Sequence, residues 1–101
     1  MAWLPSGAAR NVSYGFSFPW NRNGARAVGA ELRRRRFDHV WVGEESTGDD
    51  YWHVWAWHTI GLDERTLGTD LRLMTHLART HGGTFTGWSI VQARGIVKRH
   101  S

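Results

Sequence analysis

A chain of 101 residues has room for one hydrophobic core, and 41% hydrophobic with 13% aromatic residues are enough to close it without metals or cross-links. The lack of cysteine excludes disulfides and thiolate metal sites, while thirteen Lys and Arg against nine Asp and Glu leave a net charge of +4 that permits an anionic partner without demanding one. Met1-Ala2-Trp3-Leu4-Pro5 lacks the pattern of a signal peptide and no run approaches the ~20 apolar residues of a membrane span, so a cytoplasmic chain with no membrane partner is expected.

Residues 1–11 are small, polar and punctuated by Gly and Pro, and read as a flexible arm. Val12, Tyr14, Phe16 and Phe18 then alternate with Ser13, Gly15 and Ser17, which is the period of a half-buried strand, and Pro19 stops it. Ala25, Val28, Gly29 and Leu32 recur at helical spacing, with Asn21 or Asn23 available as cap. Arg33, Arg34, Arg35 and Arg36 fall at the end of that helix. They form a candidate basic patch, although cations at the negative end of a helix dipole explain part of the run.

Phe37 to Gly43 is a second strand, with Val40 and Val42 on one face and His39 and Trp41 on the other. Glu44 to Asp50 is a polar turn, and Tyr51 to Ile60 the longest strand, dense in aromatic and β-branched residues. A second helix follows, capped by Asp63, with Leu67, Leu71, Met74 and Ala78 as its apolar stripe and Leu77 in support. Gly82 and Gly83 stop it through left-handed backbone, a last strand runs from Thr84 to about Gln92, and 94–101 is a basic tail.

The order βαββαβ predicts an α+β, ferredoxin-like sandwich over residues 12–93, with a four-stranded antiparallel sheet and two helices on one face. Trp52, Val54, Ala56 and Ile60 belong to its core side; Tyr51, His53, Trp55, Trp57 and Thr59 to the other. Pairing Val42 with Trp52 and Val40 with Val54 sets Trp41 against His53 and His39 against Trp55. His39, Trp41, Tyr51, His53, Trp55 and Trp57 then form a contiguous aromatic and imidazole face. Monomers seldom leave such a patch bare. Its cover could be the arm with Trp3 and Leu4, the tail with Ile96 and Val97, a second copy in a homodimer, a protein partner, or single-stranded RNA stacked on the rings. A slip of one residue would bury Trp55 and Trp57 instead.

Signs of catalysis are weak. The six histidines include no i, i+4 helical pair, since His76 and His81 are five apart, so no metal or cofactor is expected. Asp49 and Asp50 beside Glu44 and Glu45 suit a solvated turn. Ser13, Ser46 and Ser89 have no nucleophile elbow around them, and no phosphate-binding fingerprint occurs. The reading is a binding module, not an enzyme.

The most specific stretch is Gly82-Gly83-Thr84-Phe85-Thr86-Gly87-Trp88. Mechanically it is a helix stop, an aromatic strand residue, and a Gly that permits a bulge before a large buried ring. Together with Phe16-Ser17-Phe18-Pro19, the Ala27 to Leu32 helix, Phe37, and Tyr51-Trp52-His53-Val54, it resembles the ribonuclease E inhibitor RraB family, in order and over about Val12 to Val91. The resemblance implies a ferredoxin-like fold and a non-catalytic regulator of RNA turnover that binds a ribonuclease or RNA-degradation complex. Phe85 stands where that family has Tyr, Thr86 where it has Asp, and Ser89 where it has Glu. The family's charge pattern is acidic and this chain is basic, so binding to a nuclease's basic region by charge complementarity does not carry over.

Overall fold

The computed structural model describes residues 9–44, 51–61, 63–91 and 97–100. Its elements in chain order are β1 (Ala9–Pro19), α1 (Arg22–Arg34), β2 (His39–Glu44), β3 (Tyr51–Gly61), α2 (Glu64–Thr80), β4 (Thr84–Val91) and β5 (Val97–His100). The βαββαβ unit forms an antiparallel sheet in the order β2-β3-β1-β4, and β5 extends it beyond β4. β1 starts three residues before Val12 and pairs there with the end of β3. The rest of the expected arm, including Trp3 and Leu4, lies outside the described residues, as do residues 45–50 of the turn, Gln92 at the expected end of the last strand, and 94–96 of the tail.

Alternation in β1 produces the core. Val12, Tyr14, Phe16 and Phe18 are essentially inaccessible to solvent and meet Val54 and Ala56 of β3 beneath Ala25, Val28 and Leu32 of α1 and Met74, Leu77 and Ala78 of α2. Both helices therefore lie on one face of the sheet. They pack on the strands, α1 over β2 and β3 and α2 over β4, more than on each other. Truncating a ring such as Phe16 or Phe18 to Ala at this depth removes about 3–5 kcal/mol.

Each helix is stopped and started by identifiable chemistry. Asn21 caps α1, its Oδ1 accepting from the Gly24 N–H at 2.9 Å, and Asp63 caps α2 by accepting from the Thr66 N–H at 2.8 Å. The Asn21 Nδ2 also donates to the carbonyls of His81 (2.7 Å) and Gly82 (3.2 Å), tying the start of α1 to the end of α2. α2 ends with Gly82 at φ +74° and the Gly83 N–H returning to the Ala78 carbonyl at 2.8 Å. α1 ends in the same geometry with a non-glycine residue: Arg36 has φ +64°, and the Phe37 N–H reaches the Leu32 carbonyl at 3.2 Å. Gly83, expected to share the left-handed backbone, does not adopt it, and its lack of a side chain serves packing: a Cβ there would overlap the Phe18 ring.

The β2–β3 register differs from the expected one by two residues. Val42 lies opposite Val54 and Val40 opposite Ala56, so Trp41 faces Trp55 and His39 faces Trp57. A shift of two leaves every side chain on its predicted face and changes only its neighbour. β4 carries the expected bulge: Gly15 pairs with Gly87 and Phe16 with Phe85, leaving Thr86 extra, with Gly87 at φ +142°. Trp88 beyond it is half-buried where full burial was expected. No helix among the described residues is long and apolar enough to cross a membrane.

Candidate partner-binding face

The sheet face away from the helices gathers the predicted residues. Trp41 (44% exposed), Tyr51 (39%) and Trp55 (37%) stand out of it, His39 is exposed, and His53 and Trp57 are half-buried among them. Cross-strand pairing makes the row continuous. His39 lies 5.1 Å from Trp57 between ring centroids, Trp41 is opposite Trp55, and Tyr51 stacks on His53 at 6.1 Å.

Two glycines let the rings lie down. Trp41 folds along its own strand over Gly43, where a Cβ would collide with the indole. Trp55 leans across β1 onto Gly15, where a Cβ would sit 2.8 Å from its Cζ3 and 3.0 Å from Thr86 Oγ1. Beside this wall of rings, Asn11, Ser13, Gly15 and Ser17 of β1 and Ser89, Gly87 and Thr84 of β4 form a floor of small residues. Asn11 Nδ2 donates to Thr59 Oγ1 across the strands at 3.2 Å. Within β1 to β4 the described residues of this face include no Lys, Arg, Asp or Glu.

The four arginines are not part of it. Arg33 donates to the Val40 carbonyl at 3.3 Å, Arg34 pairs with Glu31, and Arg35 Nε lies 2.7 Å from the same carboxylate. All belong to the end of α1, on the helix side of the sheet. The Gly82 to Trp88 stretch is likewise structural: Gly82 stops α2, Gly83 clears Phe18, Phe85 packs 5.6 Å from Phe16, Gly87 makes the bulge, and Trp88 pairs opposite Tyr14.

Two arrangements have no counterpart in the sequence reading. In the core, the Tyr14 hydroxyl donates to Asp70 Oδ2 at 2.7 Å, and His58 Nδ1 lies 2.9 Å from the same oxygen while its ring stacks on Phe37 at 4.2 Å. Burial first, then the hydrogen bond to Asp70, hold the Tyr14 hydroxyl far above the ordinary phenol range. Position 70 sits on the buried stripe of α2 between Leu67 and Met74, so a carboxylate among apolar residues was the available signal. At one end of the sheet, the Arg22 guanidinium lies 5.4 Å over the Trp52 ring, beside a strongly exposed Trp20 at φ +57°. Nothing periodic announces that pair.

Among the described residues no three His, Asp or Glu side chains converge as a metal site. Glu45, Ser46, Asp49 and Asp50 lie outside those residues. No family model, curated protein or solved structure significantly matches the chain.

Proposed function

We propose that this chain is a non-catalytic, cytoplasmic protein-binding regulator of RNA turnover, similar to the inhibitors of ribonuclease E, and that it docks through the open sheet face. The observation that carries this reading is the row of Trp41, Trp55 and Tyr51, solvent-exposed on a face to which β1 to β4 contribute no ionic residue among those described. Aromatic anchors surrounded by small residues are the composition of a protein-docking surface core. A strand of RNA needs cations along its phosphates next to the stacking rings, and the arginines of α1 and α2 lie on the helix side instead. The ordered motifs from Phe16 to Trp88 supply the partner class.

The test is direct binding, without RNA present, between the purified chain and an endoribonuclease of the ribonuclease E type, followed by cleavage of a fluorogenic RNA. Saturable binding and slowed cleavage are expected, and Trp55→Ala should weaken both at least tenfold. No heat of binding at high micromolar concentrations would sink the proposal. Quenching of tryptophan fluorescence by RNA that Trp55→Ala abolishes would replace it with stacking on the sheet.

A further inference from the structure

The helix side of the molecule has its own concave surface, chemically the reverse of the open face. Leu71, Arg72, Thr75, His76, Arg79 and Thr80 of α2 line a hollow of about 800 Å³. It runs on through Thr75 and Arg79 into a smaller one of about 280 Å³ bounded by Ala78, Gly83, Thr84 and Phe85. Residues 72, 76 and 79 are spaced i, i+4 and i+7, so they line one face of the helix. The acids of α2 do not answer them. Glu64 is in the first turn, two turns from Arg72, and Asp70 is buried and engaged with Tyr14 and His58. Neither Arg72 nor Arg79 has an acidic partner among the described residues. β5 extends the sheet beyond β4, over which α2 packs.

We propose that this groove binds the phosphate backbone of single-stranded RNA. Guanidinium forks match phosphate oxygens bidentately, and Thr80 and His76 offer further hydrogen-bonding groups between them. Phe85, half-buried against Tyr14 and Phe16, bounds the adjoining hollow with the part of its ring left uncovered, where a base can rest. An acidic peptide would use the arginines but has no use for the ring, which is why RNA is the better fit. The site is separate from the open sheet face and does not depend on what docks there.

The experiment is fluorescence anisotropy of a labelled twelve-nucleotide oligouridine with the full chain, from about 50 to 200 mM salt. Binding should weaken steeply with salt. The double variant Arg72→Gln/Arg79→Gln should lose at least tenfold in affinity, and its slope of log K against log salt should shrink by about 1.4, the share of two phosphates on a single strand. Both arginines are exposed, so the variant folds, and an unchanged thermal midpoint verifies that. Trp55→Ala should stay within twofold of the parent, which separates this site from nuclease docking. The proposal falls if the parent does not bind at 50 mM salt, if the double variant binds equally well, or if a polyglutamate of equal length competes as strongly as RNA.

Discussion

Tyr14, from the central strand, and Asp70, from the buried face of α2, meet through a 2.7 Å hydrogen bond inside an otherwise apolar layer. With His58 on the same oxygen, the carboxylate is supplied from two strands at once. Tyr14→Phe removes one donor and leaves the other, so the loss should be about 1–2 kcal/mol, measured as a lower urea midpoint with an unchanged m-value. A neutral result would mean that the hydroxyl contributes nothing net.

Stability should fall at both ends of the pH scale, for opposite reasons. The Tyr14 hydroxyl is raised in the folded state, so its contribution is complete below the ordinary phenol value near 10 and is lost as pH climbs past it. Asp63 is held low by the Thr66 backbone N–H, and Asp38 by hydrogen bonds from Thr59, so their contributions are present above about pH 4 and lost as pH drops further. Urea midpoints against pH should show both limbs. Tyr14→Phe should flatten the alkaline one, and Asp63→Asn, which keeps a capping oxygen, should soften the acid one.

Trp55 projects from the sheet and Phe16 beneath it does not, so truncating them should have different consequences. Trp55→Ala should cost about 1–2 kcal/mol of stability while weakening docking at least tenfold, whereas Phe16→Ala should cost about 3–5 kcal/mol and unfold much of the population. Circular dichroism with a binding assay separates the two. If Trp55→Ala unfolds the chain, the ring belongs to the core.

Arg36 holds a left-handed backbone without being glycine. Arg36→Gly relieves that strain at some cost in unfolded-state entropy, and should raise stability by up to about 1 kcal/mol, read as a higher thermal midpoint. Unchanged or reduced stability would show that the arginine side chain is worth more than the strain.

Gly83 is the opposite case. Its φ is unexceptional, and Gly83→Ala should nevertheless destabilise by about 1–3 kcal/mol because the added methyl meets the fully buried Phe18 ring. Pairing it with Phe18→Leu should recover part of the loss in a double-mutant cycle.

The faces of the sheet were legible in the sequence because a period of two in β1, β2 and β3 needs only the identity of alternate residues. The register was not. Moving β2 by two residues preserves the pattern Val40, Val42 in and His39, Trp41 out, so only the length and shape of the intervening turn can choose between the alternatives. The Asp63 cap, the glycine stop of α2 and the β4 bulge could be read from single residues at known offsets, whereas for α1 both Asn21 and Asn23 fitted and the structure selects Asn21. Asp70 was hidden by its neighbour: Leu71 completes a helical stripe equally well, and the apolar choice drew attention from the polar one. β5 had no apolar alternation to reveal it. Val97-Lys98-Arg99-His100 is an edge segment placed by backbone pairing with β4.

Asn21 gives the two helices a common fate. They share little packing, yet one carboxamide accepts from the first turn of α1 and donates to the last carbonyls of α2. Fraying at either terminus therefore strands a polar group at the other, and the pair should open as one cooperative unit rather than peel off the sheet independently.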